Sequence, residues 1–215
     1  MERNQLTVTK ALIIICVVVY LVGIVRQVEI RPGDFEPYLT QLGFYSWRQC
    51  FVQGEIWRII TYQFLHAGAA HLIFNMWALL FFGPAIENIM GPKKFLAFYL
   101  SCGIAGALFS SFLGIYLHGA AWPYIPMIGA SGSIYGVMIA TAFLYPDAKI
   151  SLLFPPVTLT MRVFALIIIG IATVVILSNG YNAGGEAGHL GGAIMGLLIM
   201  LVWKWRIINR YRNRQ

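Results

Sequence analysis

Six stretches of roughly 20 residues carry almost no charge, and no other feature of this chain constrains its fold as much. They run approximately Thr7 to Val25, Leu65 to Phe82, Phe95 to Tyr116, Pro126 to Leu144, Arg162 to Leu177 and Gly188 to Trp205. A helix of that length crosses the roughly 30 Å hydrocarbon core of a bilayer. Backbone groups in hydrocarbon find no water to bond, so uniformly apolar runs of this length must be helical. The expected fold is all-α: a polytopic membrane protein, six transmembrane helices in one bundle, and a single domain over residues 1–215. Composition agrees. Of 215 residues, 59% are hydrophobic and 11% charged, and the mean hydropathy of +0.75 exceeds that of a soluble domain with one core.

The first stretch follows Arg3 and Lys10, as a secretion signal would. It is too long for one, ends in Val25-Arg26-Gln27 without a small-residue cleavage pattern, and is followed by five more apolar segments. The net charge of +7 reads as topology and does not point to a nucleic-acid partner. Lys204, Arg206, Arg210, Arg212 and Arg214 follow directly on the last helix, as a cytoplasmic anchor does. Six crossings put both termini on one side. With that side inside, Arg3, Lys10, Lys93, Lys94, Lys149 and Arg162 join the tail in the cytoplasm, and Arg26, Arg31, Arg48 and Arg58 stay at the outer face. Residues 1–6 then form a short cytoplasmic N-terminus, 204–215 a basic cytoplasmic tail, and about 26–64 a long outer loop. Trp47, Trp57, Phe44, Tyr45, Phe51 and Ile56 make that loop apolar enough to lie in the headgroup region.

Tyr145-Pro146-Asp147 and Pro155-Pro156 stop helices in the link after the fourth segment. Cys16, Cys50 and Cys102 fit no zinc or disulfide framework. Glycines are concentrated late in the chain: Gly129, Gly132 and Gly136 in the fourth segment, Gly188, Gly192 and Gly196 in the sixth. Spacing by four lines them along one helical face, so the two helices are expected to pack closely.

The same seam carries polar residues. Gly129-Ala130-Ser131-Gly132 opens the fourth segment; glycines leave Ser131 uncovered, and a helix start offers free N–H groups to a nearby anion. A lone membrane serine ordinarily bonds back to its own helix. His189, in Gly188-His189-Leu190-Gly191-Gly192, is an ionisable residue in an apolar segment and hence a functional candidate. Both helices run inward from the outer face, so Ser131 and His189 lie at similar depth. In the second segment, which also runs inward, His71 and Asn75 share a face and could donate to an oxyanion. Packing between helices is the alternative use of Asn75. His66 and His71 are spaced poorly for joint zinc ligation.

Together these residues resemble the rhomboid family of intramembrane serine proteases. The resemblance rests on Trp57-Arg58, on His66 with His71 and Asn75, on Gly83 with Glu87, on Gly129-Ala130-Ser131-Gly132 with Tyr135, and on Gly188-His189-Leu190-Gly191-Gly192. It implies a Ser–His dyad with no essential acid, Ser131 as nucleophile and His189 as general base. It further implies an oxyanion hole from His71, Asn75 and the backbone around Ser131, and Tyr135 packed beside His189. Arg58 would support the first loop, and Glu87 the cytoplasmic end. The implied partners are transmembrane protein substrates, cut near their outer ends, and the lipid bilayer; the implied location is the bacterial cell (inner) membrane. No cofactor or metal is expected, and the form is the basic six-helix one. Glu186, three residues before His189, could be a third member by spacing, but we read it as an exposed loop carboxylate.

Two other classes fit less well. A channel or transporter would need a polar path through the membrane, whereas the inner halves of the second, fourth and sixth segments are almost wholly apolar. Zinc and paired-aspartate intramembrane proteases need a His-Glu-x-x-His motif or aspartates within spans, and neither occurs. A non-proteolytic binder of the same fold usually lacks the serine or the histidine. For a protease, hydrolysis requires a water-filled cavity open to the outer face and a substrate helix that unwinds into it.

Overall fold

Helix α1, Val8–Val25, begins where extended Thr7 turns its hydroxyl to accept the Lys10 N–H at 3.3 Å. The computed structural model of the protein describes residues 6–118, 125–152 and 156–212. Arg3, Arg214 and Pro155, part of the tail and loop expectations above, lie outside the described residues, as do the side chains of Arg210 and Arg212.

The remaining long helices are α4 (Ala69–Met90), α5 (Pro92–His118), α6 (Ser131–Leu144), α7 (Met161–Leu177) and α8 (Ala183–Arg212), after two short ones, α2 (Tyr38–Gly43) and α3 (Arg58–Thr61). Four of the described helices, α1, α4, α5 and α8, are long and apolar enough to cross a membrane; α6 and α7 are apolar but shorter. Three of the boundaries that differ from expectation bear most on the bundle and the site. Helix α4 does not end at Phe82 but runs on through Pro84 until Gly91, at φ 78°, closes it with an N–H bond to the Glu87 carbonyl at 2.8 Å. Helix α6 starts at Ser131, five residues later than expected, because Gly129 takes φ 130° and Met127 is held in extended pairing. Helix α8 starts at Ala183, before the expected Gly188, which places Glu186 in its first turn.

The all-α expectation needs two additions, both outside the long helices. Strands β1 (Gln27–Arg31) and β2 (Asp34–Pro37) form an antiparallel hairpin, and so do β3 (Lys149–Ser151) and β4 (Thr158–Thr160). The long first loop holds β1, β2, α2 and α3. Its Arg58 is buried, bonds the Phe44 carbonyl at 2.9 Å and pairs with Glu55, while exposed Trp57 donates to the Leu42 carbonyl at 3.2 Å. Tyr45 exchanges two backbone bonds with Met127, at 2.9 and 2.7 Å, and thereby pins the loop to the segment that feeds α6.

Helix α6 is the central element, packed by α4, α5, α7 and α8. Glycines make this possible. A Cβ on Gly196 would sit 2.6 Å from the Gly136 carbonyl oxygen, and one on Gly106 would sit 2.6 Å from that of Gly188. Backbones in such contact gain dispersion energy that apolar side chains facing lipid cannot supply. The outward face of α4 is correspondingly apolar and exposed, with Ile73, Phe74, Trp77, Leu80 and Phe81. At the other end of the bundle, Glu87 is buried and accepts the Val8 N–H at 2.7 Å, the Thr9 N–H at 2.9 Å and the Thr9 hydroxyl at 2.7 Å. Its carboxylate caps α1, so it joins α4 to α1 and is remote from His189.

Candidate active site

Three helix starts converge on one cavity of about 570 Å³, lined among others by Tyr62, His71, Gly129, Ser131 and His189. Ser131 is the first residue of α6, and Ala130 before it caps nothing with its side chain, so the first N–H groups of the helix are free of side-chain partners. The next turn is already closed, since Ile134 bonds back to the Ala130 carbonyl at 3.1 Å. The α6 N-terminus thus presents donors beside the serine.

His189, in the second turn of α8, is brought against α6 by the glycine seam. Its Nε2 lies 2.8 Å from the Ser131 hydroxyl oxygen. Tyr135, one turn beyond Ser131, stacks on the imidazole with ring centroids 4.2 Å apart and planes 8° from parallel. The ring is thereby held in one plane. Its other nitrogen, Nδ1, lies 2.9 Å from a Glu186 carboxylate oxygen, and the two side chains are 14% and 18% exposed. Here the sequence reading is corrected: Glu186 is no exposed loop carboxylate, because α8 begins early enough to put positions 186 and 189 on one helical face.

His71 lines the cavity, and a Cβ on Gly129 would come within 3.0 Å of its Nε2, so the glycine leaves room for this ring beside Ser131. Asn75 is buried, and its amide donates to the His71 carbonyl at 2.9 Å, which fixes the helix start carrying His71. His66 stands edge-on to His71 at 5.1 Å, and burial, then the neighbouring His71, lowers its pKa from 6.5 to about 4. Among the described residues, no group of three His, Cys, Asp or Glu converges as a metal site would require.

Several residues at the site were not among the candidates drawn from the sequence. Tyr62 is buried, donates to the Gly103 carbonyl at 2.6 Å, and accepts the Gly129 N–H on its own carbonyl at 3.0 Å. Gln63 is fully buried and accepts from the Ser133 hydroxyl at 2.9 Å. The turn Asn179 to Gly185 forms a wall of the cavity, with Asn179 and Asn182 at φ 49° and 65°. The run of Asn and Gly marks this turn; nothing local marks the other two.

Residues 53–206 match the family model described as the Rhomboid domain. The chain is 30% identical over 209 residues to "Rhomboid protease AarA" of Providencia stuartii, a match covering 93% of this chain and 73% of that one. It is 37% identical over 144 residues, 67% of this chain, to "Rhomboid protease GluP" of Bacillus subtilis (strain 168), of which the match spans 25%. It is also 32% identical over 151 residues, 66% of this chain, to "Presenilin-associated rhomboid-like protein, mitochondrial" of Homo sapiens, of which the match spans 38%.

Proposed function

Since the chain belongs to the rhomboid family, we propose that it is an intramembrane serine endopeptidase that cuts transmembrane segments of other membrane proteins through Ser131 and His189. The observation that carries this reading is the 2.8 Å contact between His189 Nε2 and the Ser131 hydroxyl at the edge of a roomy cavity. That distance suits transfer of the serine proton to the imidazole as the oxygen attacks a peptide carbonyl. The oxyanion then forms beside the free N–H groups of α6, with His71 as a further donor and Asn75 holding its backbone. The imidazolium returns its proton to the departing amine, an acyl-enzyme remains on Ser131, and water attacks it with His189 again as base.

Helix length accounts for how water reaches a site within the membrane. At 1.5 Å per residue the 14 residues of α6 span about 21 Å, less than the roughly 30 Å of hydrocarbon. With six helices crossing as one domain and both termini cytoplasmic, the outer end of α6 stops short of the surface. Ser131 then lies at the floor of a cavity that opens outward. Substrate must unwind locally to enter, because a helical backbone offers no free carbonyl. The bacterial cell membrane is the compartment that suits such an enzyme.

A fluorophosphonate probe tests the reading. Modification mapped to Ser131 in the detergent-purified protein, and absent in His189→Ala, is the expected result. A protein that resists the probe while remaining folded would favour a rhomboid-like binder without hydrolytic activity.

A further inference from the structure

We propose that Glu186 is a positioning residue for His189, so that the chain works with a Glu186–His189–Ser131 relay in place of a bare dyad; this rests on the protease reading above. The three groups form one line. A carboxylate oxygen lies 2.9 Å from Nδ1, and Nε2 on the opposite side of the same ring lies 2.8 Å from the serine oxygen. An acceptor at Nδ1 fixes the proton there and leaves the Nε2 lone pair directed at the serine. Without it the ring could adopt the other tautomer, which cannot take the serine proton.

The surroundings of the ring leave this task to Glu186. From α6 it meets the Tyr135 face and the Ser131 hydroxyl, both uncharged, and from α4 it faces His71, which can only add positive charge. Among the described residues, Glu186 supplies the carboxylate that contacts the imidazole. Its place in the first turn of α8 suits a carboxylate, since the N-terminal end of a helix favours negative charge. When His189 accepts the serine proton, the resulting cation therefore forms against a fixed negative charge in a half-enclosed site.

A merely structural carboxylate at a helix start would affect folding without affecting the chemistry. The test compares Glu186→Gln, Glu186→Asp and Glu186→Ala for kcat and KM on a model transmembrane substrate. Gln can still accept from Nδ1 but carries no charge, so kcat is expected to fall roughly tenfold; Ala removes both contributions, for roughly a hundredfold loss. Asp should restore part of the loss, and KM should stay within about twofold throughout. Nitrogen NMR of His189 in the Ser131→Ala background supplies a readout that needs no catalysis. It should show a proton on Nδ1 with Glu186 present and a mixture of tautomers with Glu186→Ala. Unchanged kcat in Glu186→Gln and Glu186→Ala, or an unchanged tautomer, would overturn the relay while leaving the dyad standing. A wild-type protein with the Nδ1 tautomer but no cleavage would instead sink the protease reading.

Discussion

Two glutamates at opposite ends of the bundle, Glu87 buried and Glu186 half-buried, put one functional group to different uses. Glu87, near the C-terminal end of α4, is saturated by three donors, two backbone N–H groups and the Thr9 hydroxyl, none of which changes protonation. Glu186, at the start of α8, touches a titratable ring that borders an open cavity. The first arrangement has a single state and serves to hold α1 against α4. The second leaves its partner free to gain and lose a proton. Burial and hydrogen bonding alone thus do not separate a structural carboxylate from one near chemistry; what the partner can do and whether space adjoins it does.

The comparison is most severely tested at His189. His189→Ala should reduce cleavage by more than about a thousandfold, with thermal stability in detergent within a few degrees of wild type. A matching collapse of stability would make the His189 cluster structural too. Glu87→Ala should do the reverse. Removing its carboxylate strands two N–H groups at the start of α1 and should lower stability by about 3 kcal/mol, while kcat of the folded fraction stays within about threefold.

The active-site end should also be the pH-sensitive one. Folded His66 takes up a proton only near pH 4, whereas an unfolded histidine does so near 6.5. The unfolded state therefore binds more protons between those values. Stability should be complete above about pH 6.5 and fall as pH drops toward 4, by up to about 3 kcal/mol. Thermal unfolding across that range checks this, and His66→Gln should flatten the slope. The smallest effect is expected at Asn75, which acts on the site by bonding the His71 carbonyl. Asn75→Ala should slow cleavage several-fold, about 1 kcal/mol, with little change in stability; an unchanged rate would leave it as packing only.

The sequence showed those features that depend on period, length and order along the chain. Long apolar runs mark the helices, glycines four apart mark the α6–α8 seam, and helix direction alone puts Ser131 and His189 at one depth, where the side chains are found 2.8 Å apart. Features set by backbone conformation at helix ends were hidden. Glu186 was misread because nothing apolar or periodic in Ala183-Gly184-Gly185 announces a helix, and five residues of early start change a loop carboxylate into a neighbour one turn from His189. The second segment was expected to end at Phe82, yet α4 continues through Pro84 to Met90. The Tyr45–Met127 bridge and buried Gln63 depend on contacts between segments far apart in the chain, which no local pattern encodes.

The central claim is that Ser131, at the start of α6, is the nucleophile of a membrane protease. Its most direct test is cleavage of a model transmembrane substrate co-reconstituted in liposomes, with wild type compared with Ser131→Ala. The expected result is fragments from the wild type and none from the variant, whose melting temperature is unchanged. Fragments appearing at the wild-type rate from Ser131→Ala would contradict the account.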